Sequence, residues 1–164
     1  VLMQALQQLA AEAPRFFTYW NMLFLAQAAL NTLMVSFLGC AIGYAAGFMI
    51  ATARLERVTP LAPVRGAMIL WTEVFRRIPF LVLLMLVFFS FQLSGAQTAR
   101  FVIATTAGAL RMSALAAENV RAGYEAVNPR QWDAALVMNL TPLKTLFRVI
   151  LPQSWRVILP PSTI

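Results

Sequence analysis

Two long stretches of this sequence carry no charged side chain. No Asp, Glu, Lys or Arg occurs between Arg15 and Arg54, and none occurs between Arg77 and Arg100. The second stretch has about 22 residues and would rise about 33 Å as an α-helix, which is enough to cross the hydrocarbon core of a bilayer. Hydrophobic residues make up 60% of the chain and charged residues 12%, against about 45–50% and 25% in soluble domains. These features predict an all-α integral membrane protein.

We predict three membrane spans, at about residues 23–53, 78–98 and 99–117. The third span begins beside Arg100 and contains Arg111. Residues 1–22 are predicted to be a leader that is interfacial or disordered, and residues 23–164 a single transmembrane domain. No basic region followed by a small-residue cleavage site marks a signal peptide in the leader.

The basic side chains predict the orientation. They are concentrated in two segments, one between the first two spans and one after the third: Arg54, Arg57, Arg65, Arg76, Arg77, and Arg121, Arg130, Lys144, Arg148, Arg156. The positive-inside rule places both segments in the cytoplasm and the N-terminus outside. A net charge of +7 would favour nucleic acid as a partner of a soluble protein, but here the charges flank spans and face membrane lipid.

A helix-turn-helix is predicted at about residues 126–152. Asn128-Pro129 is a typical helix start, with Gln131 placed to complete a capping box, and the first helix should run to about residue 138. Asn139 is placed to take the left-handed conformation that ends it. Thr141-Pro142 then begins a second helix, and Pro152 is expected to end that helix.

The first helix of this unit is suited to bind another protein. Ala134 and Ala135 leave little bulk on one face, while Trp132 and Leu136 are candidates to fill a pocket on a partner. An ordinary amphipathic helix pair and a DNA-binding helix-turn-helix are the alternatives, and the membrane context disfavours both.

This region resembles a known motif. Gln131-Trp132-Asp133-Ala134-Ala135, Asn139-Leu140 and Val149-Ile150-Leu151-Pro152-Gln153 are similar to the cytoplasmic EAA loop of permease subunits in ATP-binding-cassette importers, above all those for polar amino acids. Asn139 stands where the family usually has glycine. In that family the loop helix docks into a groove on the ATPase. The resemblance therefore implies an ATPase-coupling loop, whose residues are Gln131, Trp132, Asp133, Ala134, Ala135, Asn139 and Leu140.

Two further segments support the resemblance. Residues 73–83 are similar to the family's E-x-x-R-G-T-P-L-L-V-Q segment, but Leu83 replaces a glutamine and so cannot hydrogen-bond a substrate. Residues 117–123 are similar to its A-E-x-x-R-x-G segment. There Glu118 and Arg121 lie three residues apart, a spacing that favours a mutual ion pair over a gating role.

Three charged residues are candidates for the translocation pathway: Arg76, Arg111 and Glu118. Arg111 within a span requires a partner, since a buried charge is costly in a membrane. That partner is either a substrate carboxylate or a carbonyl or acid of a neighbouring helix, unless Arg111 lies near enough to one end of the span to snorkel. Gly39, Gly43 and Gly47 recur every four residues and predict close helix packing, within the subunit or between two subunits.

Catalytic and metal-binding residues are not expected. The chain has no histidine and a single cysteine, Cys40, which is predicted to be a small packing residue. Its only lysine, Lys144, is not preceded by a P-loop, so the chain should bind no cofactor and ATP-Mg must be bound by a separate ATPase subunit. An intramembrane hydrolase is disfavoured because no catalytic constellation assembles.

The sequence is identified as a permease subunit of an ABC importer for polar or charged amino acids or related solutes. The resemblance implies a multi-span helical bundle of the type I importer permease kind, a bacterial inner-membrane location and alternating access driven by ATP. It also implies ABC ATPase subunits, a second permease (the same chain or a similar one) and a periplasmic solute-binding protein as partners. Further spans are expected beyond Ile164. The alternative is a secondary carrier or channel driven by ion gradients, which predicts intramembrane acids and no docking loop.

Overall fold

The computed structural model describes residues 17–95 and 98–162. Every regular element in these ranges is helical, as predicted. The helices are α1 (Tyr19–Arg54), α2 (Ala62–Arg77), α3 (Phe80–Leu93), α4 (Arg100–Glu125), α5 (Arg130–Val137), α6 (Pro142–Thr145) and α7 (Leu151–Ser162), with a π-helical turn (Leu146–Ile150) between α6 and α7. Most of the predicted leader, residues 1–16, lies outside the described residues.

Helix α4 is the centre of the fold, because it contacts α1, α2, α3 and α7. Its closest neighbour is α1, which approaches through Gly39, Gly43 and Gly47, all buried. A Cβ atom added at Gly43 would lie 2.5 Å from Met112 Cβ, and one at Gly47 would lie 2.6 Å from Ala116 Cβ. Glycine is therefore needed at positions 43 and 47 to let the two helices pack within one chain.

Helix α1 exposes large apolar side chains along its length, such as Phe37 at 74% and Met49 at 65%. Among the described residues, α1 is the one helix long and apolar enough by itself to cross a membrane. Helices α2 and α3 pass the same test only when taken together, although they are bent by 110°. The number of spans stays a prediction.

The helix boundaries differ from the predicted spans. The segment expected to be a loop before the second span contains the 16-residue helix α2. Helix α3 has 14 residues and ends before Gly95, whose φ is 72°. Helix α4 runs from Arg100 to Glu125, past the predicted end at residue 117.

The turn at the end of α5 is as predicted, whereas the role assigned to Pro152 is wrong. Asn139 has a φ of 57°, in the left-handed region. Pro152 does not end a helix, since it lies near the start of α7, which continues to Ser162. The π-helical turn just before Pro152 explains why the helix continues. The Leu151 N–H bonds to Leu146 O, so the hydrogen-bond pattern shifts from π to α at this point. The missing N–H of Pro152 is tolerated there because it falls in the first turn of α7.

Two apolar clusters hold the helices together. The first lies where the ends of α1 and α4 meet the helix-turn-helix, and its buried members are Ala51, Val120, Tyr124, Val127, Leu146, Ile150 and Ile158. The second packs α3 against the start of α4, and its buried members are Leu83, Val87, Ile103 and Ala107. Leu83, which replaces the family's polar glutamine, is thus a core residue.

Candidate functional site

Helix α5 combines a buried side with an exposed apolar end. Ala135 is 2% exposed, and Trp132 is half-buried against the first apolar cluster. Leu136, Val137 and Met138 are 59%, 89% and 73% exposed. The helix is therefore anchored on its own chain and presents its C-terminal end outward.

This placement corrects the docking face predicted from the sequence. Ala134 is exposed, but Ala135 and Trp132 face their own chain. Adjacent residues of an α-helix point about 100° apart, so the two alanines cannot share one narrow face. Of the two predicted anchors, Leu136 is exposed, whereas Trp132 is half-buried against its own chain.

The ends of α5 are held by local hydrogen bonds. The Arg130 N–H donates to Asn128 Oδ1 at 3.0 Å, which is the side-chain cap expected at this helix start. The Leu140 N–H donates to Ala135 O at 3.0 Å across the turn formed by Asn139. Gln131 is exposed and Leu140 is half-buried.

Arg57, just after α1, contacts α5 in two ways. Its Nη1 lies 3.4 Å from Asp133 Oδ1, and its guanidinium carbon lies 5.4 Å from the centre of the Trp132 ring. Two grooves, of about 300 and 340 Å³, are both lined by Arg57 and Trp132. Because Asp133 and Arg57 are well exposed, their ion pair is weak and free to exchange partners.

Glu118 is part of an ion-pair network. Its Oε1 lies 2.5 Å from Arg54 Nη1, and its Oε2 accepts a 3.1 Å hydrogen bond from Arg121 Nε. Arg121 also pairs with Glu125, and Arg54 donates to Thr72 Oγ1 at 3.1 Å. The network joins α1, α2 and α4 and includes the predicted Glu118–Arg121 pair.

Glu118 lies just beyond the predicted third span, at the end where the basic residues are concentrated. Partial burial raises the pKa of its carboxyl, but hydrogen bonds from Arg54 and Arg121 outweigh this effect and hold the pKa below its usual value. Glu118 is therefore ionised at neutral pH and fully occupied by its two arginines.

The other two pathway candidates also have partners in the chain. Arg76 lies 3.2 Å from the Glu73 carboxylate, which also binds Arg77 at 2.7 Å. Arg111 Nη1 lies 2.6 Å from Ile78 O and 3.1 Å from Arg76 O. Arg76 and Arg111 therefore meet at the end of α2, through the backbone of Arg76, and Glu118 lies apart in the network with Arg54.

The sequence reasoning missed three residues of this site. Arg54 and Arg57 were counted only as charges that orient the chain, and Thr72 was not considered. Their roles depend on partners 64, 76 and 18 residues away, so local spacing carries no signal for them.

Residues 43–164 match the family described as "Binding-protein-dependent transport system inner membrane component". The L-cystine transport system permease protein TcyB of Bacillus subtilis is 35% identical over 130 residues, which are 79% of this chain and 54% of that protein. The arginine transport system permease protein ArgU of Corynebacterium glutamicum is 30% identical, over 92% of this chain and 52% of that protein.

One solved structure has the same fold. The crystal structure of an amino acid ABC transporter with histidines aligns with a TM-score of 0.69 and 31% identity, covering 87% of this chain and 67% of that chain. The present chain spans about half the length of TcyB and ArgU.

Proposed function

The chain belongs to the family of binding-protein-dependent transport system inner membrane components, and from this premise we propose that it is the permease subunit of an ATP-driven importer for polar or charged amino acids or related solutes. In this role it crosses the bacterial inner membrane several times, with its N-terminus outside. It forms the translocation pathway with a second permease and receives substrate from a periplasmic binding protein. ATP-Mg is bound and hydrolysed by a separate ATPase.

The exposed end of α5 is the observation that carries the coupling role. Leu136, Val137 and Met138 form an apolar surface on a segment surrounded by basic residues, which the positive-inside rule places in the cytoplasm. Exposed apolar side chains gathered around one end of a helix favour a protein interface. We assign it as the contact with the ATPase.

The packing of α5 supports a route for the coupled motion. Trp132 packs against the first apolar cluster, to which α1 contributes Ala51 and α4 contributes Val120 and Tyr124. Arg57, just after α1, also contacts α5 through Asp133 and the Trp132 ring. A displacement of α5 by the ATPase would therefore move α1 and α4, the two helices in closest contact, as a unit between inward-open and outward-open states.

The experiment that tests this function uses the permease with its ATPase and binding protein in proteoliposomes. Uptake of labelled arginine, glutamine and glutamate and substrate-stimulated ATP hydrolysis are both measured. Val137→Asp places a charge at the most exposed position of the apolar surface and should reduce stimulated hydrolysis about tenfold or more, while the protein still assembles. Val64→Asp, the same change at an exposed position in the first turn of α2, outside this surface and outside the loop motif, is the matched control and should behave as the parent.

Two results would contradict the assignment. Parental stimulation in Val137→Asp would exclude this surface as the docking site. No ATP-dependent uptake of any of the three amino acids by the parent, with all partners present, would reject the proposed importer.

A further inference from the structure

A sharp elbow separates α2 from α3. Helix α2 ends at Arg77, α3 begins at Phe80, and the two helices are bent by 110°. Ile78 is extended, with φ −73° and ψ 126°, as expected for a residue before proline, and Pro79 has no N–H to continue the helix. The last carbonyls of α2 therefore lose their intrahelical donors, and an unsatisfied carbonyl in an apolar environment is costly.

Arg111 of α4 supplies the missing donor. Its Nη1 lies 2.6 Å from Ile78 O, 3.1 Å from Arg76 O and 3.4 Å from Phe75 O. One nitrogen with two hydrogens thus serves three carbonyls by sharing. The positive charge is also placed at the C-terminal end of α2, where the helix dipole favours a cation.

The surroundings of Arg111 reinforce this contact. Phe75, Ile78 and Leu110 all pack against the second apolar cluster, so α4 holds the elbow with apolar side chains and with the adjacent guanidinium. In the described part of the chain, Arg111 is absent from the ion pairs, which engage other arginines. Its partners are backbone oxygens.

We propose that Arg111 is a positioning residue that fixes the α2–α3 elbow, and that it influences transport through the elbow without contacting a substrate carboxylate. Of the experiments below, only the transport measurement rests on the proposed importer function. In the described part of the chain, the hydrogen bonds of Arg111 all go to carbonyls at the elbow, so this side chain helps to set the direction of α3.

Transport of three substrates separates positioning from substrate contact. Arg111→Met removes every donor and should lower uptake of arginine, glutamine and glutamate by a similar factor, about tenfold, because hydrogen bonds from a charged donor are lost. Arg111→Lys keeps a charged donor and should retain uptake within about threefold of the parent. A loss confined to glutamate in either variant would overturn the proposal.

A second variant tests whether Arg111 acts through Pro79. Pro79→Ala restores an N–H that can satisfy a carbonyl at the end of α2, so it should offset part of the damage caused by Arg111→Met. We expect the double variant to lose less thermal stability than the two single variants lose together. Strictly additive losses would contradict the proposal.

The elbow angle can be measured without transport. Spin labels at Gly66→Cys on α2 and Leu93→Cys on α3, in a Cys40→Ser background, report the distance across the elbow. Both sites are open, since a Cβ at Gly66 has no neighbour within 4 Å and Leu93 is 89% exposed. The distance distribution should shift or broaden in Arg111→Met and be restored in Arg111→Lys. A label pair at Leu33→Cys and Met49→Cys, both on α1, is the control and should stay unchanged.

The two proposals fail in distinguishable ways. An unchanged elbow distance in Arg111→Met overturns the positioning role even if the chain is an importer subunit. Absence of ATP-dependent uptake by the parent rejects the importer, while the distance measurement still tests the elbow.

Discussion

Arg54 and Glu118, which lie 64 residues apart in the sequence, meet in an ion pair of 2.5 Å that joins the end of α1 to α4. Both side chains are mostly shielded, at 12% and 16% exposed. Arg54 also donates to Thr72 of α2, so a single guanidinium connects three helices. The contact lies between the glycine-rich packing of α1 on α4 and the segment that carries α5.

Removing one partner of this pair should destabilise the protein more than removing both. Arg54→Met leaves Glu118 shielded with one arginine lost, and should lower the free energy of unfolding by about 1–3 kcal/mol. The double variant Arg54→Met/Glu118→Met should be closer to the parent. Thermal unfolding in detergent measures both effects, and equal or larger destabilisation of the double variant would contradict this account.

The same pair predicts a pH dependence. Because the folded-state pKa of Glu118 is lowered, its ionisation contributes stability that is fully present above the unfolded pKa, about 4.5, and is lost as the pH falls through the folded pKa. The stability difference between the parent and Glu118→Gln should therefore be constant near neutral pH and become smaller below about pH 4.5. Unfolding curves at several pH values test this, and a difference that grows on acidification would exclude it.

The change in stability caused by each glycine-to-alanine replacement should depend on the space around that glycine. Gly47→Ala brings a Cβ within 2.7 Å of Ser113 O and should destabilise the α1–α4 contact by about 1–3 kcal/mol. Gly39→Ala makes ordinary contacts, the nearest at 3.5 Å, and should be tolerated. Gly66→Ala, in an exposed helical position with open space, should stabilise by up to about 1 kcal/mol through helix propensity. Equal thermal stability of the Gly47→Ala and Gly66→Ala variants would contradict the close packing of α1 on α4.

Tryptophan at two neighbouring alanines should have opposite consequences. Ala135→Trp inserts a large ring at a buried position and should reduce the amount of folded protein. Ala134→Trp, at an exposed position, should leave folding unchanged and reduce substrate-stimulated ATP hydrolysis. Size-exclusion profiles and hydrolysis rates separate the two effects. Normal folding of Ala135→Trp would show that α5 does not pack as described.

Accessibility tests the proposed topology. Single cysteines at Ser94 and Asn128, in a Cys40→Ser background, should label from opposite sides of the membrane, with Ser94 reached from outside by an impermeant reagent. Asn128 should label only after the membrane is opened. Equal labelling of both from outside would reject the assignment.

Much of this protein was determined by local sequence, because local rules apply wherever a residue's partner is near it in the chain. The absence of charge over residues 16–53 predicted the apolar helix α1, and Asn139 was correctly assigned the left-handed turn because few other residues tolerate it. The resemblance carried by residues 131–135 and 149–153 indicated the family, and the family match confirms it.

Tertiary structure decided which partner each special residue has. The sequence allowed either a substrate or a neighbouring helix as the partner of Arg111. Only the elbow at Pro79 brings three carbonyls to its guanidinium. Ala135 was predicted to face a partner, but it is buried in its own chain. Pro152 was expected to end a helix, but the π-helical turn before it lets the helix continue. These outcomes depend on contacts between distant segments, and such contacts exist only once the helices have packed on α4.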